Sequence, residues 1–167
     1  MTLCTSSGYK LLDQPRTSRT CGGTGVLFRD NLYVKQSDAA ELRSFEYSKW
    51  DIKSKTERIQ LIIIYRTPYS EVHPVVTSVF ESAVFCASHL VITGDFNIHM
   101  DVMDDVDAIK LRGLLESTGI KQHVTIPTHI SKHTLDLIIT RLSVISSLCP
   151  PLGLIISFLT TCRFTQV

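Results

Sequence analysis

The sequence lacks three features, each of which would assign it to a class of protein. No two of its five cysteines stand at the two-residue spacing of a zinc knuckle or a redox motif. Its net charge is +1, so the basic surplus of most stand-alone nucleic-acid-binding domains is missing. Its apolar stretch Leu148–Leu159 is too short to span a membrane and is interrupted by two prolines and a glycine.

The first residues, MTLCTSSGYKLLDQ, have neither the basic nor the apolar segment of a secretory signal peptide. Scattered cysteines in odd number are typical of free thiols in a reducing compartment. We therefore expect an intracellular chain, nuclear or cytoplasmic, without a membrane segment. With 167 residues, 44% of them hydrophobic and 20% charged, the chain has the length and composition of one globular domain.

The most informative segment present is LVITGDFNIHMD, residues 90–101. A short apolar run reaches Gly94, and Asp95 and Asn97 follow two positions apart. In an extended segment this spacing directs both side chains to one face, and the glycine permits a sharp exit from the strand. A carboxylate can hold a metal or steer a water, and a carboxamide can donate to a phosphoryl oxygen. The pair therefore suits chemistry on a phosphate, although Asp95 alone also fits an ordinary turn.

The pattern of apolar residues predicts the order of strands and helices. Ile59–Tyr65 is the strongest predicted strand, because it is short, rich in β-branched residues and closed by Thr67-Pro68. Pro74 predicts the start of one helix, and Asp107 and Gly119 predict the two ends of another. Further strands or extended stretches are predicted at 9–12, 25–28, 44–52, 90–93, 119–128 and 135–140. Strands that alternate with helices predict an α/β sandwich with sheets inside and helices outside.

Two motifs that resemble ligand sites do not fit them. The acidic run over residues 101–107 lacks the central glycine of a calcium loop and has Arg112 where that loop needs a glutamate. A solvated loop before a helix is the better interpretation. The glycines of 21–25, CGGTG, lack the spacing and the following helix of a dinucleotide fingerprint. A Rossmann-type site is therefore the most remote alternative, and no small-molecule cofactor is expected.

Five segments, in order, resemble the endonuclease domain of non-LTR (LINE-type) retrotransposons. That domain belongs to the endonuclease/exonuclease/phosphatase superfamily, together with exonuclease III and DNase I. The segments are GYKLLDQPRTSRTCGGTGVLFRDNL, SFEYSKWDI, IQLIIIYRTPYS, LVITGDFNIHMD and HVTIPTHISKHTLDLIITR. The resemblance implies a four-layered αββα sandwich and Mg²⁺-assisted hydrolysis of a phosphodiester in DNA. We expect residues 1–141 to form this domain in part and residues 142–167 to be a divergent, frameshifted tail.

The resemblance also implies roles for four residues. Asp95 would hold the metal and orient or activate the attacking water, and Asn97 and Tyr65 would donate to the scissile phosphate. Asp136 would hold the catalytic histidine in its useful tautomer. His133 is not that histidine, because it lies three residues from Asp136 and so faces the other side of a strand. Four histidines are interpreted as polar loop or strand-end residues: His99, His123, His129 and His133.

Two parts of the family's site are not found in the sequence. The family's principal metal ligand is the Glu of an upstream Glu-Thr-Trp segment; this chain begins after that point, and Glu46 belongs to a different motif. The family closes with Ser-Asp-His, where residues 154–159 read LIISFL. Loss of a general acid or base costs about 10²–10⁴-fold in rate. We therefore expect a truncated copy with little or no nuclease activity, and marginal stability from sheet edges left open.

Two other functions stay open. The first is a phosphatase of the same superfamily, although YRTP and HTLDLIIT favour the nuclease branch. The second is a catalytically inactive remnant that binds DNA or a protein partner at most. The net charge of +1 argues against strong DNA binding by the chain alone.

Overall fold

The computed structural model describes residues 8–17, 23–68, 77–81, 85–86 and 88–141, which form two sheets and a helical layer. The strands are β1 (Tyr9–Pro15), β2 (Gly23–Arg29), β3 (Tyr33–Glu41), β4 (Phe45–Lys53), β5 (Arg58–Arg66), β6 (His89–Asp95), β7 (Ile120–Gln122) and β8 (Asp136–Arg141). Helix α1 spans Val106–Thr118, and residues 77–81 are also helical. The predicted helix start at Pro74 and the tail 142–167 lie outside the described residues.

The strands form a two-stranded sheet, β1-β2, and a six-stranded sheet in the order β3-β4-β5-β6-β8-β7. Neighbouring strands are antiparallel except β5 and β6, which run parallel in the middle of the larger sheet. A parallel pair needs a crossover connection, and the helical residues 77–81 lie on this one. The central strands therefore end side by side at the same edge, which is where their polar end residues meet.

Strand β5 is buried on both faces and separates two apolar cores. Leu61 and Ile63 pack with Val26 and Phe28 of the two-stranded sheet. Ile62 and Ile64 point the other way, into the core formed with the helical residues, which include Val79, Phe80, Ala108, Leu111 and Leu115. A strand buried on both faces has an uninterrupted apolar sequence, which explains IQLIIIY. The predicted α/β sandwich is confirmed.

Helix α1 begins two residues earlier than predicted. The N-cap is Asp105, whose Oδ1 accepts a hydrogen bond of 2.8 Å from the backbone N–H of Ala108. The prediction of Asp107 as the cap is wrong, because its carboxylate is paired with Arg66 at the end of β5. Gly119 ends the helix with φ 65, as predicted.

Two strands differ from what apolar periodicity predicts. Strand β3 was not predicted, because it is an edge strand with no fully buried residue and with a register shift between Gln36 and Asp38. The extended stretch predicted for 119–128 is a strand only over Ile120–Gln122. The other predicted strands are confirmed, each with ends shifted by a few residues. No helix in the described part of the chain has the length and apolarity needed to cross a membrane.

Candidate functional site

Four adjacent strands carry a row of polar residues across one face of the larger sheet. Glu46 on β4 is the register partner of Tyr65 on β5, Tyr65 is that of Asp95 on β6, and Asp95 is that of Asp136 on β8. Register partners point to the same face, which here is the face that packs against the two-stranded sheet. The structure therefore brings Tyr65, Asp95 and Asp136, three of the residues named from the sequence, side by side.

Gly94 allows the strands that carry this row to approach closely. Its φ is 149, and a Cβ at this position would lie 1.8 Å from the carbonyl oxygen of Ile64 on β5. Gly94 is paired with both β5 and β8, so the strand continues through it to Asp95. The glycine is needed for this close approach and not for an exit from the strand.

The fourth residue, Asn97, reaches the site through a turn. Its φ is 47, and its backbone N–H donates to Oδ1 of Asp95 at 3.1 Å. This is an Asx turn, so the expectation that Asp95 and Asn97 share one face of an extended segment is wrong. Asn97 Nδ2 donates to the carbonyl oxygen of Arg66 at 2.7 Å, which places the amide beside the end of β5.

The surroundings of the Asp95 carboxyl change its pKa. Burial raises its pKa above the usual value, and the neighbouring charge of Asp136 raises it further. Hydrogen bonds from the backbone and the side chain of Asn97, and the charge of His129, act in the opposite direction. Two carboxylates placed together across a strand pair favour a shared proton or a bound cation over two bare charges.

Arg16 and Glu46 are site neighbours that the sequence did not assign. The Nε of Arg16, which follows β1, lies 2.6 and 2.9 Å from the two carboxylate oxygens of Glu46. The guanidinium also lies 4.8 Å from the centre of the Tyr65 ring. Arg16 therefore connects the two sheets beside the row and neutralises Glu46, which supports leaving Glu46 out of the metal site. Opposite charges 30 positions apart give no signal in the sequence.

None of the five described histidines forms a hydrogen bond with Asp136. His133 Nδ1 lies 2.9 Å from Asp101, and the His133 ring lies against the His99 ring in a tilted arrangement, with centroids 4.3 Å apart. His123 Nε2 is 3.0 Å from the Thr140 hydroxyl. His129 Nδ1 accepts from the backbone N–H of Ser131 at 3.2 Å. His133 is paired with Asp101 and not with Asp136, but it lies in the loop before β8, so strand alternation is not the reason for their separation.

The donors for a metal ion are few. Within the described ranges, no three His, Cys, Asp or Glu side chains converge as a metal-binding group. Asp95 and Asp136 are the two carboxylates of the row that no cation of the described chain pairs with. Mg²⁺ keeps several waters and needs only one or two protein carboxylates, so this pair fits a weakly held Mg²⁺.

The fold is similar to those of several solved proteins. The endonuclease domain of TRAS1, a telomere-specific non-LTR retrotransposon, superposes with a TM-score of 0.67 at 16% identity, over 84% of this chain and 68% of that one. An endonuclease/exonuclease/phosphatase family protein from Leptotrichia buccalis gives 0.54 at 14% identity, over 81% and 61%. A mannosyl-6-phosphatase from Bacteroides thetaiotaomicron gives 0.52 at 9% identity, over 82% and 64%. This chain has the endonuclease/exonuclease/phosphatase fold.

The fold implied by the five sequence segments is thereby confirmed. No protein-family model and no curated protein matches the chain. The chain spans between 61% and 68% of these solved endonuclease/exonuclease/phosphatase chains. At such low identities the likeness establishes the fold, and the chemistry has to be argued from the site.

Proposed function

We propose that this chain is a Mg²⁺-dependent DNA endonuclease domain of retrotransposon type with an impaired catalytic set. The observation that carries the proposal is the register row of Tyr65, Asp95 and Asp136, with Asn97 held beside it by an Asx turn. Within one fold, that combination of a phenol, an amide and two carboxylates suits hydrolysis of a phosphate ester.

Each residue has a separate task in the proposed reaction. Asp95 accepts a proton from, or orients, the water that attacks phosphorus, and its raised pKa brings it closer to the range of a useful base. Tyr65 and Asn97 donate hydrogen bonds to the non-bridging phosphoryl oxygens, where negative charge increases in the transition state. Tyr65, Asp95 and Asp136 are each only half-buried, so a phosphodiester can reach their side chains.

Asp95 is the residue that would hold Mg²⁺, with Asp136 facing it. When bound, the ion supplies positive charge that stabilises the phosphoryl oxygens. It would also relieve the repulsion between the two carboxylates, which is one cause of the raised Asp95 pKa. Asp136 would, in the complete reaction, orient a histidine, and none of the described histidines bonds to it. This gap is the reason for proposing impaired activity.

A plasmid-nicking assay tests the proposal. Supercoiled DNA is incubated with Mg²⁺ and an excess of protein, comparing the wild type with Asp95→Ala and with Asp104→Ala, an exposed aspartate of the loop before α1. We expect slow conversion to open circles that is lost with Asp95→Ala or EDTA and retained with Asp104→Ala.

Other outcomes separate the alternatives. Absence of nicking by the wild type over long incubation would leave the inactive remnant as the better interpretation. Nicking that is equal in the wild type and Asp95→Ala would contradict the site. Rapid multiple-turnover nicking abolished by Asp95→Ala would instead contradict the claim of impairment. Release of inorganic phosphate from a sugar phosphate, without nicking, would favour the phosphatase.

A further inference from the structure

One buried charged residue beside the site has no role in the proposed reaction. Arg66 is the last residue of β5 and is only 4% exposed. Its Nη1 donates to the carbonyl oxygens of Asn97 at 2.8 Å and Phe96 at 3.3 Å, and its Nη2 donates to the carboxylate of Asp107. A guanidinium fixes its partners in a planar fork, so Arg66 fixes β5, the turn and helix α1 relative to one another.

Asn97 returns a hydrogen bond to the same residue. Its Nδ2 donates to the backbone carbonyl oxygen of Arg66 at 2.7 Å. A carbonyl oxygen can only accept, so it is Nδ2 and not Oδ1 that faces Arg66. Because the amide is planar, this bond also sets the direction of the second Nδ2 hydrogen. The side chain of each residue therefore binds the backbone of the other.

The backbone of Asn97 has an uncommon conformation. Its φ of 47 lies in the left-handed region, which residues other than glycine, asparagine and aspartate seldom adopt. Arg66 donates a hydrogen bond to the carbonyl oxygen of Asn97 itself, and so helps to hold this conformation. Asp107 can hold the other end of the guanidinium because Asp105, and not Asp107, caps helix α1.

We propose that Arg66, oriented by Asp107, is a positioning residue that holds the Asn97 amide in the direction from which it donates to the phosphate. The role of Asn97 rests on the proposed function, whereas the hold on Asn97 rests on the contacts above. Loss of the guanidinium fork releases the turn, and a displacement of about 1 Å at a reacting group costs about 100-fold in rate.

A double-mutant cycle with Arg66→Lys and Asn97→Ala tests the proposal. Single-turnover nicking is measured over a range of DNA concentrations, so that the maximal rate and the half-saturating concentration are obtained separately. We expect Arg66→Lys to lower the maximal rate by about 100-fold in the wild-type background and to have no further effect beside Asn97→Ala. Equal losses in both backgrounds, or no loss, would overturn the proposal.

Arg112→Lys is the matched control. Arg112 also donates to three backbone carbonyl oxygens, those of Met100, Val102 and Met103, but none of them belongs to a site residue. We expect its nicking rate to stay within about twofold of the wild type. If Arg66→Lys does not fold, Asp107→Asn removes the charge that orients Arg66 and is expected to show the same dependence on Asn97.

A second measurement needs no activity. Proton exchange of the Asn97 side-chain amide is followed by ¹H–¹⁵N NMR in the wild type, Arg66→Lys and Asp107→Asn. We expect one Asn97 Nδ2 hydrogen to exchange slowly in the wild type and rapidly in both variants. A wild type that nicks no DNA but shows this difference would overturn the proposed function and retain the positioning. Unchanged exchange in Arg66→Lys would overturn the positioning, whatever the activity.

Discussion

The two sides of the candidate site are held in different ways. On the Asn97 side, Arg66, Asp95 and Asp107 hold the turn through hydrogen bonds that also connect β5 to helix α1. On the other side, the carboxylate of Asp136 accepts no hydrogen bond from the described residues, and the charge of Asp95 lies opposite it. The Asn97 side is therefore part of the structure that stabilises the fold, whereas the Asp136 carboxylate adds no hydrogen bond to the described structure.

Under the proposed function, this difference would allow such a domain to keep its fold while its activity is impaired. Removing a group from the Asn97 side breaks contacts between elements, so folding stability preserves that side whether or not it is used. A histidine that contacted only the Asp136 carboxylate could be lost without breaking any hydrogen bond of the described structure. We expect substitutions on the two sides to separate accordingly in measurements of stability.

The largest effect is expected for Gly94→Ala, which acts on both sides at once. Its Cβ would lie 1.8 Å from the Ile64 carbonyl oxygen and would force β5 away from β6. Overpacking and backbone strain each cost about 1–3 kcal/mol, so we expect a loss of roughly 3 kcal/mol or more in thermal or urea unfolding. Gly113→Ala is the control: no atom lies within 4 Å, and a gain of about 1 kcal/mol is expected. Equal stability of the two variants would contradict the close approach.

The next effect concerns the helix on the Asn97 side. Asp105→Ala removes the acceptor for the Ala108 N–H and is expected to cost about 1 kcal/mol of unfolding free energy. Asp104→Ala, one residue earlier on the same loop, is expected to change stability by less than about 0.5 kcal/mol. If the Asp104 variant were the less stable of the two, the assignment of the cap would be wrong.

A smaller, pH-dependent effect on stability is expected at Asp101, which links the loop after Asn97 to the segment before Asp136. Asp101, on the loop after Asn97, accepts from the Thr134 N–H at 2.8 Å and pairs with His133, and these hydrogen bonds lower its pKa to about 2. Since the pKa is depressed in the folded state, the stabilisation is complete above about pH 4 and is lost as the pH falls towards 2. The melting-temperature difference between the wild type and Asp101→Asn should therefore shrink over that range. A constant difference would rule out this charge effect.

The smallest effect on stability is expected on the Asp136 side. Asp136→Asn should change the unfolding free energy by less than about 0.5 kcal/mol. It should also lower the pKa of Asp95, because a like charge is removed, although burial keeps that pKa raised. A ¹³C NMR titration of the Asp95 carboxyl measures this. A large loss of stability in Asp136→Asn would contradict the contrast between the two sides.

Much of the fold was predictable because buried strands and helices have a recognisable pattern of apolar residues in the sequence. IQLIIIY predicts the central strand, and Gly119 predicts the end of α1, since both act through local rules. Strand β3 was missed because an exposed edge strand has no apolar alternation. The sequence predicts Asp107 as the helix cap, whereas the structure has Asp105. Both positions suit a helix start, and only the contact of Arg66 with Asp107 distinguishes them.

The same division holds for the site. Tyr65, Asp95, Asn97 and Asp136 could be named from the sequence, since each lies at the end of an apolar segment or within a motif; their catalytic roles stay predictions. The Arg16–Glu46 pair and the hold of Arg66 on Asn97 could not be named, because their partners are some 30 positions apart.

By itself, the sequence determined the order of the buried strands and of helix α1, the α/β class and the polar residues at the strand ends. These features follow from the secondary-structure preferences of the residues and from the periodicity of apolar residues, both of which depend on residues close together in the sequence. Only the tertiary structure decided the strand register, which places Tyr65, Asp95 and Asp136 in one row, and the ion pair that commits Asp107 to Arg66. The register of β5 with β6 is set across a long crossover connection, and Arg66 and Asp107 are 41 positions apart, so no single local segment determines either contact.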